Sequence, residues 1–131
     1  MRLKPFVYVA HPIGKDPLGN ARIAFAFADE LIQLGFVPIL PDNPAWHLAF
    51  PKTYEEWMAL DFALIAGCDA VFRLPGESPG ADRETAFAIG RSIPVFTDTN
   101  ELCRWHSNGL AMLERKSTLT AGVARLGKAA K

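Results

Sequence analysis

The chain has 131 residues, half of them hydrophobic, and its 14 basic and 14 acidic residues leave a formal net charge of zero. This length suits one domain with its own core, and the balanced charge excludes a field that would recruit nucleic acid or an anionic membrane. Charged residues, Gly and Pro interrupt every apolar run before the roughly 18 residues that a membrane span needs. We therefore expect a small-molecule partner and no contact with a membrane or a nucleic acid.

The N-terminus and the cysteines indicate the cellular compartment. From Met1 the chain leads directly into a strand, without the apolar region and cleavage site of a signal peptide, which predicts a cytoplasmic protein. Cys68 and Cys103 cannot form a disulfide framework and lack metal-ligand spacing. Both are predicted to be buried thiols, and we expect neither a metal nor a cofactor.

The first elements are a strand and a helix. Residues 6–10 form an apolar run typical of a strand in a parallel sheet that is covered on both faces. Helical spacing follows, with Asn20 as a good N-cap and Gly35 as a good residue just beyond the C-terminal end. The predicted apolar face of this helix consists of Ala21, Ala24, Phe25, Ala28, Leu31 and Ile32.

A second strand, residues 36–40, contains Pro38, which indicates a sheet edge or the end of the strand. The proline-rich stretch after it, residues 41–53, is predicted to be a long loop, and such loops are usually functional or mobile. His47 has no second ligand residue at metal-ligand spacing and is predicted to be a surface or loop residue. Trp46 and Phe50 either form an apolar wall for a ring or anchor the loop.

The second helix covers residues 54–66 and begins with a capping box of Thr53 and Glu56. Its predicted apolar face consists of Trp57, Leu60, Leu64 and Ile65. The helical period also places Asp61 on that face, where a carboxylate without a partner is costly. Asp61 therefore either pairs with an arginine or caps a loop, or it faces a polar pocket, and the sequence leaves both open.

The turn after the third strand, residues 70–74, is the most informative segment. Ligands of open α/β sheets bind beyond the carboxyl ends of the strands, and Glu84 follows this turn at the start of the third helix, residues 81–90. Glu84 is thus the leading active-site candidate, although an acidic residue early in a helix is also favoured by the helix dipole. Ser78 before a proline fits an N-cap, and the same helix end can bind phosphate.

Further polar residues are predicted at the carboxyl edge of the sheet or at the opposite edge. Tyr8 either packs in the core or reaches the pocket from the end of the first strand. His11, Gly14 and Lys15 occupy the loop that opens the first helix, a place suited to an anionic group. Asp69 precedes the third strand and is expected to be a turn residue on the opposite edge.

The last elements are a strand over residues 92–96 and a helix over residues 100–115, with His106 assigned to the surface. Alternating strands and helices predict one doubly wound α/β domain, flavodoxin-like or Rossmann-like, with a parallel sheet of four to five strands. This domain spans residues 1–115. Residues 116–131 are predicted to be a basic tail, frayed or disordered.

With these elements in place, residues 6–96 resemble the nucleoside 2-deoxyribosyltransferase-like superfamily, and especially a small bacterial and phage branch without an assigned reaction. The motifs that carry the resemblance are Tyr8-Val9-Ala10, Asn20 opening a helix that ends at Leu34-Gly35-Phe36, Trp57-x3-Asp61, Cys68-Asp69-Ala70, Leu74-Pro75-Gly76 and Ser78-x-Gly80-Ala81-x2-Glu84. Characterised relatives include nucleoside deoxyribosyltransferases and deoxynucleoside 5′-monophosphate N-glycosidases.

The resemblance implies that Glu84 is a nucleophile that attacks the anomeric carbon and forms a glycosyl-enzyme intermediate. It implies that Asp61 assists the base and sugar and that Tyr8 lies beside the nucleophile. Retaining cleavage uses two carboxyl groups about 5 Å apart, which Glu84 and Asp61 can supply. The predicted substrate-binding residues are His11, Gly14, Lys15, Ser78, Gly80 and Trp57. The resemblance implies that Ser78 stands where the monophosphate hydrolases use a hydroxyl on the phosphate, and a homodimer or higher homo-oligomer is expected.

Two residues depart from the pattern of the relatives. His11 stands where a small residue is common, and Glu77 stands where a tryptophan is frequent. The charge of Glu77 disfavours a nearby phosphate.

Two other functions remain open. A phosphoribohydrolase would release bases from nucleoside monophosphates and prefer ribose, but the chain lacks the Gly-Gly-x-Gly-Thr motif of such enzymes. A non-catalytic nucleotide-binding or sensor domain would bind its ligand without turnover, and the ligand would stabilise it against heat.

Overall fold

The computed structural model describes residues 3–41, 43–112 and 115. The elements, in chain order, are β1 (Phe6–Ala10), α1 (Pro17–Gln33), β2 (Val37–Ile39), α2 (Pro44–Ala49), α3 (Tyr54–Ala66), β3 (Ala70–Arg73), α4 (Pro79–Gly90) and β4 (Val95–Phe96). Residues 99–112 form a further helix, α5. The chain divides into two compact units between Thr97 and Asp98.

The four strands of the first unit form one parallel sheet in the order β2-β1-β3-β4. Tyr8 in β1 is aligned with Ile39 of β2 on one side and with Val71 of β3 on the other. The edge position of β2 confirms the prediction made from Pro38. The parallel sheet and its flanking helices confirm the predicted doubly wound α/β class.

Helices cover both faces of this sheet. On one face, the ring of Phe27 in α1 packs against Phe72 of β3, with ring centroids 4.4 Å apart. On the other face, Tyr8 and Val71 belong to a buried cluster that also contains Ile65 of α3 and Ala88 of α4. Because successive side chains of a strand point to opposite faces, β1 and β3 are buried on both sides and consist almost entirely of apolar residues.

Helix α1 begins earlier than predicted, because Asp16 rather than Asn20 is its N-cap. The Asp16 side chain accepts a hydrogen bond from the Gly19 amide at 3.1 Å, and Pro17 occupies the first helical position. The prediction of Asn20 as the cap is wrong. Asn20 lies inside the helix, and its Nδ2 donates to the carbonyl oxygen of Ile13 at 2.9 Å, which ties down the loop after β1.

The buried face of α1 is narrower than predicted. Its buried residues are Ala21, Ala24, Ala28 and Leu31. Phe25 and Ile32 are 45% and 57% exposed, so their assignment to the buried face is wrong; the helix packs through its small residues. Gly35 has a φ of +94° and ends α1 as predicted, with the Phe36 amide donating to the Leu31 carbonyl at 2.9 Å.

The segment predicted to be a loop between β2 and α3 contains the short helix α2. The Asn43 side chain accepts from the Ala45 amide at 2.9 Å, and Pro44 stands at the first helical position. This start signal is sufficient for six helical residues. The description of residues 41–53 as loop throughout is therefore wrong.

The starts of α3 and α4 confirm the predicted caps. Thr53 Oγ1 accepts from the Glu56 amide at 3.2 Å, and Ser78 Oγ accepts from the Ala81 amide at 3.1 Å. Pro79 is the first residue of α4, slightly earlier than predicted. Asp69 also has the expected place, since its Oδ2 accepts from the Phe6 amide at 2.8 Å, at the amino end of β1.

The two cysteines and the last helix follow the predictions only in part. Cys68 is buried, whereas Cys103 is only partly buried, so the prediction of two buried thiols holds for Cys68 alone. Helix α5 agrees with the predicted last helix as far as residue 112, and His106 within it is partly buried rather than at the surface. The predicted tail, residues 116–131, lies outside the described residues.

None of the helices among the described residues combines the length and the apolar character that crossing a bilayer requires. Within the same residues, no three His, Cys, Asp or Glu side chains are grouped so that they could hold a metal ion.

Candidate functional site

A cavity of about 740 Å³ lies beyond the carboxyl end of the sheet, between the loop after β1, helix α3 and the start of α4. The two central strands, β1 and β3, lead to helices on opposite faces of the sheet, α1 after β1 and α4 after β3. This is a topological switch point, where open α/β sheets bind their ligands.

Two carboxyl groups lie in the wall of this cavity. Asp61 comes from α3 and Glu84 from α4, and each is only 4% exposed. The hydroxyl of Tyr8 donates a hydrogen bond to Oε2 of Glu84, and Tyr8 itself is fully buried in β1. The structure thus brings the three predicted catalytic residues together, with two in the cavity wall and Tyr8 behind Glu84.

Helix α3 contributes one continuous stripe to the cavity. The stripe begins at Tyr54 and continues with Trp57, Met58 and Asp61, which lie three, four and seven residues after Tyr54. These spacings place all four on the same face of the helix. Tyr54 is 52% exposed, whereas the other three are less than a tenth exposed. The stripe therefore runs from the open end of the cavity at Tyr54 to its closed end at Asp61, and it contains the predicted binding residue Trp57.

Helix α4 contributes Ser78, Gly80, Ala81 and Glu84. Ser78 lines the cavity, and its hydroxyl caps the helix by accepting from the Ala81 amide. A Cβ atom at Gly80 would lie 3.4 Å from the Tyr54 hydroxyl oxygen and 3.9 Å from the Met58 sulfur. The helices approach each other closely here, so the predicted binding residue Gly80 lies opposite the outer end of the α3 stripe.

The loop after β1 supplies His11 and Gly14 but not Lys15. His11 is 5% exposed, and its Nδ1 lies 2.9 Å from the carbonyl oxygen of Pro12. Since a carbonyl only accepts, Nδ1 carries the proton of this hydrogen bond. His11 and Gly14 line the cavity, whereas Lys15 is exposed and lies outside its lining.

The loop after β3 is fixed by Arg73 and by a close contact with Pro12. Arg73 Nη2 donates to the carbonyl oxygen of Gly76 at 2.8 Å and to Asp82 Oδ1 at 3.0 Å, and Nη1 donates to the Leu74 carbonyl. Gly76 has a φ of +118°, and a Cβ there would lie 2.8 Å from Pro12 Cγ. The two loops that carry the site are therefore packed directly on each other.

The cavity lining includes several residues that were not predicted from the sequence, among them His47 and Lys52. His47 of α2 stacks on Trp57, with ring centroids 3.9 Å apart and planes inclined by 17°, and the Lys52 Nζ lies 4.9 Å from the centroid of the same ring. Both line the cavity, so the prediction of His47 as a surface or loop residue is wrong. The length of the stretch between β2 and α3 was the available signal, because long loops in compact domains often carry function.

The two aromatic residues that the sequence left open lie outside the cavity lining. Trp46 packs edge-on against Trp57, with centroids 5.0 Å apart, which favours the anchoring role. Phe50 is 66% exposed.

An ion pair joins α3 to α4 at the open end of the cavity. Arg83 Nη1 and Nη2 donate to the two carboxylate oxygens of Glu55 at 2.8 and 3.2 Å. These hydrogen bonds lower the pKa of Glu55 from its usual 4.5 and raise the pKa of Arg83. The Arg83 guanidinium also lies 5.5 Å from the centroid of the Tyr54 ring.

One comparison with known proteins gives a match. The family model described as "Domain of unknown function (DUF4406)" matches residues 5–97, which include every strand of the sheet and the whole lining of the cavity. No curated protein and no solved structure matches the chain.

Proposed function

The chain belongs to the DUF4406 family, and we propose that it cleaves or transfers the N-glycosidic bond of a (2′-deoxy)nucleoside or nucleoside 5′-monophosphate. The observation that supports this most is the pair of buried carboxyl side chains in one cavity, Glu84 and Asp61, with the Tyr8 hydroxyl on Glu84. Cleavage of a glycosidic bond, whether retaining or inverting, generally uses two carboxyl groups that face a common space.

The first step is attack by Glu84. One of its carboxylate oxygens forms a bond to the anomeric carbon, while the Tyr8 hydroxyl donates to the carboxylate at Oε2. The C–N bond breaks at the same time, and its electron pair leaves with the base. Asp61 supplies the proton that the departing nitrogen takes up, and the sugar remains as an ester of Glu84.

The second step releases the sugar. A water molecule, or a ring nitrogen of a second base, attacks the anomeric carbon from the side that the first base has left. Asp61 takes back a proton from this nucleophile, and the ester bond breaks with its electron pair returning to Glu84. Water gives the free sugar, and a second base gives a new nucleoside.

The wall of the cavity supports a planar, partly apolar substrate. Trp57 and Met58 are nearly buried beside Asp61, and Tyr54 continues the same stripe. Ligand pockets typically combine such apolar walls with a few polar groups, in volumes of roughly 300 to 1,000 Å³. A base that rests on this wall would hold its glycosidic nitrogen next to the two carboxyl groups.

The proposed substrate has a 5′-phosphate or lacks one, and residues near the cavity favour both forms. The Ser78 hydroxyl already accepts from the Ala81 amide, and Glu77 beside it is exposed, which disfavours an anion. Lys52 in the cavity lining favours one. Nucleosides and their monophosphates are therefore both included in the test.

The test is release of free base from deoxynucleosides, ribonucleosides and their 5′-monophosphates, measured by chromatography. We expect the wild type to release base and both Glu84→Ala and Glu84→Gln to lose at least about 10³-fold in rate. Glu77→Gln, which removes an exposed carboxylate close by in the chain, is the control and should retain the activity. Equal rates for wild type and Glu84→Ala, or no reaction with any member of the panel, would refute the proposal.

The same panel separates the other functions. A requirement for ribose monophosphates would identify a phosphoribohydrolase. A rise in melting temperature with a nucleotide, without release of base, would identify a binding or sensor domain.

A further inference from the structure

Tyr54 has a position that the proposed chemistry does not use. It is the outermost residue of the α3 stripe and lines the cavity with about half of its surface exposed. Asp61 lies seven residues further along the helix, about 10 Å away at 1.5 Å per residue. Tyr54 is therefore too far along α3 to touch the bond that breaks, and it faces the part of a ligand that is remote from that bond.

Arg83 holds the Tyr54 ring from one side. Its guanidinium lies 5.5 Å from the ring centroid, a distance at which a cation is attracted to the ring face. Glu55 fixes the guanidinium through two hydrogen bonds at 2.8 and 3.2 Å. A two-point contact of this kind sets the orientation of the planar guanidinium, and with it the contact to the ring.

Gly80 limits the ring from the α4 side. A Cβ atom at this position would lie 3.4 Å from the Tyr54 hydroxyl oxygen and 3.9 Å from its Cε2. The ring is thus confined between Arg83 and the first turn of α4. A confined aromatic ring loses little freedom when a second planar group stacks on it, because most of that freedom is already lost.

We infer that Tyr54 is a specificity-determining residue whose ring stacks on the outer part of the substrate base and favours purines, and that Arg83 and Glu55 position it. The inference rests on the proposed function, because the anomeric carbon must lie at Glu84 for the base to point along the α3 stripe. A purine extends further from its glycosidic nitrogen than a pyrimidine does. The purine therefore reaches the open end of the stripe, and the pyrimidine ends beside Trp57 and Met58.

The experiment measures binding apart from turnover. Trp57 lies in the cavity wall, so tryptophan fluorescence reports the binding of deoxyadenosine or thymidine to protein that carries Glu84→Gln. Tyr54→Ala, Tyr54→Phe, Arg83→Met and Glu55→Gln are introduced into this background. Arg91→Met is the matched control, because Arg91 lies 5.5 Å from the Phe87 ring at the other end of α4.

The inference predicts a pattern across these variants. Tyr54→Ala should weaken the binding of deoxyadenosine about tenfold, the lower range of base stacking on an aromatic ring, and should weaken that of thymidine much less. Arg91→Met should bind as the parent does, and Tyr54→Phe, which keeps the ring, should lose much less deoxyadenosine binding than Tyr54→Ala. Arg83→Met and Glu55→Gln should each weaken deoxyadenosine binding. Neither should weaken it further in protein that already carries Tyr54→Ala, because both act through the tyrosine ring. In protein with Glu84 intact, Tyr54→Ala should raise KM for the purine and leave kcat nearly unchanged.

Three results would overturn the inference. The first is unchanged binding of deoxyadenosine by Tyr54→Ala, and the second is an equal loss of affinity for deoxyadenosine and thymidine in this variant. The third is a further loss of deoxyadenosine affinity when Arg83→Met is added to Tyr54→Ala. If the Tyr54 variants follow the expected pattern but Glu84→Ala releases base as fast as the wild type, the proposed function fails alone. If neither compound changes the fluorescence of the parent, the inference fails, whereas the proposed function is judged by base release from the full panel.

Discussion

The hydroxyl of Tyr8 donates a hydrogen bond to Oε2 of Glu84 across 76 positions of the chain. Tyr8 is in a central strand, and Glu84 is in the helix that follows the neighbouring strand. The contact therefore requires the parallel pairing of β1 with β3 and the packing of α4 on the sheet. The hydrogen bond helps to hold the Glu84 carboxylate in place in the cavity wall.

Tyr8→Phe removes this donor and keeps the buried ring. A hydrogen bond to a charged group contributes about 1.5–3 kcal/mol, so we expect kcat for base release to fall by about 10- to 100-fold. Steady-state kinetics measures the effect, with Tyr54→Phe as the matched removal of a tyrosine hydroxyl elsewhere in the site. A Tyr8→Phe protein with the kcat of the wild type would show that the hydroxyl does not assist Glu84.

Asp61→Asn removes the group that protonates the leaving base. We expect the rate of base release from deoxynucleosides to fall by about 10²- to 10⁴-fold, the usual contribution of general acid catalysis. A nitrophenyl deoxyriboside needs no proton on its leaving group, so its cleavage should be much less affected. Equal losses on the two substrates would contradict the role of Asp61 as the acid.

Gly76→Ala tests the contact between the two loops of the site. Gly76 has a φ of +118°, and the added methyl group would lie 2.8 Å from Pro12 Cγ. We expect the free energy of unfolding to fall by about 1–3 kcal/mol from the backbone strain, with a further loss from the clash. Denaturant unfolding measures both losses.

Two further variants separate the strain from the clash. Gly35 has a φ of +94° but open space around its Cβ position, so Gly35→Ala carries the backbone strain alone. Pro12→Ala removes the clashing Cγ and should recover part of the stability of Gly76→Ala. The explanation fails if Gly76→Ala is no more destabilising than Gly35→Ala, or if Pro12→Ala gives no recovery.

The Glu55 and Arg83 pair predicts a pH dependence of stability. Hydrogen bonding to Arg83 lowers the pKa of Glu55 from 4.5. A carboxyl group with a lowered pKa in the folded state contributes stability above its unfolded pKa and loses that contribution as the pH falls through the folded value. The stability of wild type relative to Glu55→Gln should therefore be constant above pH 4.5 and decrease as the pH falls below it. The effect should be small, because both groups are solvent-exposed.

Urea unfolding over a range of pH measures this difference. In an Arg83→Met background, Glu55 loses its partner, and the pH-dependent difference between Glu55 and its glutamine variant should disappear. A difference that persists without Arg83, or one that increases toward low pH, would contradict the assigned cause.

The parts of the fold that depend on short segments could be predicted from the sequence. Ser78 with Pro79, Thr53 with Glu56, and Gly35 each specify a helix end through contacts within a few residues. Asn20 has the residue type of a good N-cap, but Asp16 followed by Pro17 forms an earlier start. Local signals compete, and the pattern of residue types does not decide which one is used.

The parts of the site that depend on tertiary packing could be predicted only in part. Asp61 and Glu84 were identifiable because a carboxylate on an apolar helical face and another beyond a strand end are both unusual. His47 reaches the cavity only because α2 folds beside Trp57, and no spacing in the sequence links these two residues. Lys15 follows Gly14 but lies outside the cavity lining, so proximity in the chain was not sufficient.

The stereochemistry of the reaction tests the central claim, that Glu84 forms a covalent bond to the sugar. When a β-deoxynucleoside reacts in buffer that contains methanol, NMR spectroscopy can assign the configuration of the methyl deoxyriboside that forms. Two successive displacements at one carbon restore the original configuration, so the account predicts the methyl β-deoxyriboside. The α anomer, or a mixture of the two anomers, would contradict it.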